Sequence, residues 1–158
     1  MEYVKRVKVL KGLLNVIGSF FLLLLFLSMI STIAAIDNNG IKNTVLSFIF
    51  SLLFFGCYFM IILALRKVLK SIEEKNPFTT ENIIHFKKIG YYILSVGVID
   101  AISNYSKPNY TGIDLIGTPS GSLKPMSLFY IILCLLAFIL ADVFKMAIDI
   151  KDENDLTV

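Results

Sequence analysis

Four long runs of the chain carry almost no charge, and this constrains the fold more than any short motif. Gly12–Ile36 is 25 residues without a charged side chain, and Asn43–Leu65 is 23. Ile89–Ser106 offers 18 residues interrupted by Asp100, and Pro125–Ala141 offers 17. The last run extends past Asp142, because a charged side chain near a helix end can reach back to the interface. A helix rising 1.5 Å per residue needs about 20 apolar residues to cross a hydrocarbon core about 30 Å thick. The runs therefore predict four spans, at about 12–36, 43–65, 89–106 and 125–144. Composition agrees: the chain is 56% hydrophobic and 17% charged. Soluble domains carry about 25% charge, so this chain lacks the polar surface to cover a globule in water. The expected fold is all-α, a single integral-membrane four-helix bundle over residues 1–158, with a short cytoplasmic interfacial helical elbow and a cytoplasmic acidic tail at 145–158.

Basic residues predict the direction of the spans. Residues 1–11 hold Lys5, Arg6, Lys8 and Lys11, and the 66–88 connection holds Arg66, Lys67, Lys70, Lys75, Lys87 and Lys88. The tail holds Lys145 and Lys151, and the opposite side has only Lys42, Lys107 and Lys124. Such a bias places the richer side in the cytoplasm. Both termini are then cytoplasmic. The first run exceeds the roughly 7–15 apolar residues of a signal peptide and is expected to remain as a span. No basic stripe with interleaved aromatics points to direct nucleic-acid binding.

The connections are of three kinds. Asp37–Lys42 predicts a tight turn in which Asn39-Gly40 tolerates positive φ. Lys107–Lys124 is rich in Gly, Pro, Ser and Thr, and is expected to cover the bundle mouth or form a small hairpin. Between spans two and three, Arg66–Lys75 extends helix two and Asn76-Pro77 stops it. Thr79 then reads as the N-cap of the elbow helix, with Glu81 in its electropositive first turn.

Within the spans, Asp100 lies about 16 Å from the inner boundary at 1.5 Å per residue, near mid-bilayer. An ionised carboxylate there needs a donor, a counter-charge or a proton. It serves either as a proton- or cation-responsive centre or as a hydrogen-bonded structural group. The second is preferred, because no intramembrane Lys, Arg or His completes a relay. Three pairs of small residues, Ser47/Ser51, Gly97/Ala101 and Ala137/Ala141, suit close helix packing. Internal packing is their preferred use, and a homodimer contact is the other. His85 is the sole histidine, and Cys57 and Cys134 lack metal-site or redox spacing. No catalytic constellation, metal site or cofactor is expected.

Two stretches carry a resemblance. Asn76-Pro77-Phe78-Thr79-Thr80-Glu81-Asn82, followed by Lys87-Lys88-Ile89-Gly90, resembles the inner loop of a small four-span bacterial membrane family of the YoaS type, a domain of unknown function. Leu140-Ala141-Asp142-Val143-Phe144-Lys145 and the terminal Asp155-Leu156-Thr157-Val158 are similar to that family's end, although it often has Glu at the place of Asp142 and a glycine near Ala147. The resemblance implies a multi-pass protein of the bacterial cytoplasmic membrane without an established activity. It also implies association with a cytosolic helix-turn-helix regulator that the membrane module tethers or restrains. Asn76, Pro77, Phe78, Thr79, Glu81, Leu156, Thr157 and Val158 would then form the docking segment. The expected function is a non-enzymatic regulatory or signalling module in the lipid bilayer. The alternative is a small transporter or immunity factor centred on Asp100.

Overall fold

The computed structural model describes residues 2–34, 36–105, 116–118 and 121–155. The protein is an all-α bundle of four long helices: α1 (Glu2–Ala34), α2 (Ile36–Glu73), α3 (Thr80–Tyr105) and α4 (Met126–Asp155). Strands β1 (Ile116–Thr118) and β2 (Gly121–Leu123) form an antiparallel hairpin between α3 and α4, with Gly117 opposite Ser122. This is the small hairpin expected within Lys107–Lys124, and β2 lies against α3.

Each helix boundary has a local cause. The turn expected over Asp37–Lys42 is narrower than six residues, because helical backbone runs up to Gly40 and resumes after it. Gly40 alone breaks the helix, with φ 74° and ψ 154°, a conformation that suits a residue without Cβ. The Thr44 hydroxyl donates back to the Gly40 carbonyl at 3.0 Å and holds the restart. At its other end α2 stops at Glu73, slightly before the expected Lys75. The Asn76 N–H donates to the Ser71 carbonyl at 3.0 Å, and the Lys75 N–H to the Ile72 carbonyl at 3.1 Å. This pair of bonds closes the helix with Lys75 left-handed at φ 58°, where glycine is more usual.

The elbow helix runs into the third span without a break, α3 extending from Thr80 to Tyr105, so no separate interfacial piece precedes the membrane portion. The acidic tail is helical through Asp155, where α4 ends. At 30 residues α4 is about 45 Å long, more than the span alone requires.

Neighbouring helices pack in sequence order, α1 on α2, α2 on α3 and α3 on α4. The core gathers Ala64 of α2, Ile89 of α3 and Ala137 of α4, flanked by Ile61, Leu65, Phe86 and Ile93. Small side chains are inside: Ala141 is 0% exposed, and Cys134 and Ala137 are buried. Large apolar side chains such as Phe20, Phe26, Ile41, Phe129 and Ile132 face outward. The segments Lys5–Ala34, Gly40–Glu73 and Met126–Asn154 are long and apolar enough to cross a membrane. An apolar shell around a small-residue core has no stable place in water, and these three helices make this a membrane protein. The third expected span, within α3, is not among the three, its apolar stretch being diluted by Tyr91, Tyr92, Asp100 and Asn104.

Gly90 and Gly97 set the spacing of α3 and α4. A Cβ on Gly97 would lie 2.8 Å from the Tyr130 Cβ, and one on Gly90 would lie 2.8 Å from the edge of the Phe138 ring. The Tyr130 Cβ moves only with the α4 backbone, whereas a ring edge can swing away. Gly97→Ala should therefore destabilise the folded protein by about 1–3 kcal/mol. Gly90→Ala should cost markedly less, because the Phe138 ring edge can move aside, while the gain in helix propensity of about 1 kcal/mol is common to both variants. Thermal unfolding of the two variants in detergent micelles checks the order.

Candidate functional site

The basic end of the bundle is built around the connection from α2 to α3. Pro77 leaves the chain extended, and Thr79 caps α3: its side-chain oxygen accepts from the Asn82 N–H at 3.4 Å, and its carbonyl accepts from the same N–H at 3.0 Å. Asn82 is 1% exposed and locks the connection. Its side-chain amide donates to the Ser71 hydroxyl at 2.5 Å and to the Pro77 carbonyl at 2.6 Å. The Ser71 hydroxyl donates in turn to the Val68 carbonyl at 2.8 Å. One buried amide therefore ties the last turn of α2, the proline and the first turn of α3.

That lock presents Phe78, 45% exposed, at the surface. Its ring centroid lies 5.7 Å from that of Phe144 on α4, and Phe144 lies 4.9 Å from Phe86 on α3. The aromatic cluster joins the two stretches singled out in the sequence, 76–82 and 140–145, into one surface. Asn76 and Glu81 are exposed around it, and Pro77 and Thr79 are half-buried. Leu156, Thr157 and Val158 lie outside the described residues.

Beside the cluster is a groove of about 470 Å³ between the end of α2 and the start of α3, lined by Lys67, Lys70, Lys88, His85, Glu74 and Glu81, with Ser71 and Asn82 at its base. Burial, then the charges of Lys67 and Lys88, hold the His85 imidazole below its ordinary 6.5, against a smaller opposing pull from Glu81. Across the end of the bundle the Lys11 ammonium donates to the Glu73 carboxylate, clamping α1 to α2. That hydrogen bond, and then the lysine's charge, hold the Glu73 carboxyl below the usual carboxylate range.

Deeper in the bundle, Asp100 is half-buried on α3 and close enough to Tyr58 for the two groups to interact electrostatically. The Tyr58 hydroxyl lies 3.5 Å from the Tyr130 hydroxyl. The Tyr58 ring stacks on Phe21 of α1 at 4.7 Å. Tyr58 thus links α2 to α1 and α4. Of the small-residue pairs, Ala137/Ala141 is buried in the core and Gly97 faces Tyr130, whereas Ser47 is exposed. Both cysteines are free thiols, and Cys134 is buried.

Residues 42–158 match the family described as a protein of unknown function, DUF2975. The chain belongs to that family. No curated protein and no solved structure matches it. The matched segment contains α3, α4 and the part of α2 that follows the Gly40 break, so all the residues of the aromatic cluster and the Asn82 lock lie within it.

Some of this escaped the sequence reading. Asn82 stands inside the quoted motif, but nothing local marks an asparagine as buried. Phe144 and Phe86 resemble any other apolar helical residue until α3 and α4 are laid side by side. Tyr58 and Tyr130 gave only one signal, a hydroxyl within a span.

Two outcomes test the lock and the groove. Asn82→Ala removes two short hydrogen bonds and should lower stability by about 1–3 kcal/mol, read as a fall in melting temperature. For His85 the folded state resists protonation, so the unfolded state binds the extra proton first as pH falls. The neutral imidazole's share of stability is complete above the ordinary 6.5 and is lost as pH drops through the lowered folded value. Melting temperatures measured between pH 7.5 and 5.5 should decline in the wild type and less steeply in His85→Gln.

Proposed function

We propose that this protein is a non-enzymatic regulatory module of a bacterial cytoplasmic membrane, a YoaS-type member of its family, whose basic end faces the cytosol and docks a helix-turn-helix transcription regulator. The observation that supports this most is the Phe78–Phe144–Phe86 cluster. A half-exposed ring, set by a buried lock and rimmed by polar side chains, has the make-up of a docking hot spot. In a membrane protein, apolar surface turned to lipid needs no partner, but apolar surface at a charged end does. Four spans with both ends inside fit the distribution of basic residues, with α3 crossing in the shelter of α2 and α4. The segment Leu156–Val158 continues from the acidic end of α4 and supplies the second part of the docking surface.

A second reading rests on the grouping of Asp100 with Tyr58 and Tyr130, a polar centre between α2, α3 and α4 that would suit a small transporter or immunity factor.

The test is co-purification of the full-length protein with the host's helix-turn-helix regulator after crosslinking in native membranes. Phe78→Ala should reduce recovery at least tenfold, Phe78→Leu should partly restore it, and deletion of Leu156–Val158 should also reduce it. Recovery unchanged in all three variants would remove this surface from the mechanism. Asp100→Asn should leave recovery intact. If it instead abolishes transport or resistance while docking persists, the second reading replaces the first.

A further inference from the structure

A second groove, of about 330 Å³, lies between α1 and α2 at the same end of the bundle. Lys11, Arg66, Lys67 and Lys70 line it together with Asn15 and Leu63, and no carboxylate does. The groove beside His85 shares Lys67 and Lys70 but is balanced by Glu74 and Glu81. Among the described residues Arg66 and Lys67 make no ion pair with a carboxylate, and Lys70 has only an exposed partner, Glu74, at 3.7 Å. The Lys11–Glu73 pair fixes the two walls of the groove relative to each other.

Position gives this cluster its meaning. Lys11 immediately precedes the uncharged run 12–36, and Arg66 immediately follows the run 43–65. The four cations therefore stand in the plane where two apolar helices leave the hydrocarbon, and Asn15 and Leu63 continue the groove toward the apolar side. We infer that this groove is a binding site for the phosphodiester headgroup of an anionic glycerolipid. The Arg66 guanidinium presents a planar fork that fits two phosphate oxygens, and the lysines supply point charges around it. Leu63 and the outward apolar faces of α1 and α2 receive the acyl chains. A basic recess between transmembrane helices at the cytoplasmic side is the recurrent form of such sites. Free phosphate shares the headgroup chemistry, but the apolar wall and the boundary position select the lipid. The inference rests on the membrane placement of α1 and α2 and is independent of any docked regulator.

The experiment is native mass spectrometry and thermal melting of the full-length protein in detergent, with phosphatidylglycerol, phosphatidylcholine or inorganic phosphate added at equal concentration. Phosphatidylglycerol should be retained and should raise the melting temperature, and the other two should do neither. Arg66→Gln with Lys67→Gln should weaken retention about twenty-five-fold, since each basic residue near the surface contributes about fivefold. If the double variant does not fold, Lys67→Gln alone should give about a fivefold loss. Lys87→Gln with Lys145→Gln removes the same charge elsewhere and should change nothing. Equal retention of phosphatidylcholine, equal stabilisation by inorganic phosphate, or an equal loss in the Lys87/Lys145 control would each overturn the site.

Discussion

Close contact between small side chains is the constraint on which this architecture depends. Within lipid no water is released when two apolar helices meet, so association relies on van der Waals contact at short range. Gly90 and Gly97 let α3 come within touching distance of Phe138 and Tyr130, and Ala137 and Ala141 do the same from α4. The bulk that a soluble protein would bury is turned outward, where lipid solvates it as well as a protein core could. This also explains why α3, the least apolar of the four helices, belongs in the bundle. Tyr92, Gly97 and Asp100 are partly covered by neighbouring helices and need not meet lipid as fully as in a lone span.

The unbroken α3 places two kinds of polar structure on a single rigid rod. At its start, Asn82 binds Ser71 and the Pro77 carbonyl and so sets the angle at which the chain re-enters the bundle. Further along, Gly97 and Asp100 meet the region of Tyr130 and Tyr58. Tyr58 in turn stacks on Phe21, one of the ties between α1 and α2.

The basic end combines three surfaces of different chemistry within a few turns of helix. The aromatic cluster offers apolar contact, the groove beside His85 offers mixed charge, and the groove between α1 and α2 offers only positive charge beside an apolar wall. Lys67 and Lys70 border both grooves. Occupancy of one groove by an anion would therefore alter the field in the other, and the depressed His85 imidazole would sense it.

Helix number, the apolar character of the runs and the cap at Thr79 were all legible in the residues, because each depends on local composition or on neighbours a few positions away. Gly40 announced the break near the start of α2 for the same reason: positive φ is a property of one residue. How far α4 continues past its apolar run was not legible, because charged residues at a helix end are compatible with either a continued helix or a free segment. What only the tertiary structure decided was which side chains meet: Phe78 with Phe144, Asn82 with Ser71, Tyr58 with Tyr130, and Lys11 with Glu73. Apolar periodicity says which residues avoid water but, in a lipid-facing helix, not which face avoids lipid, so partner choice emerges only when the helices are packed.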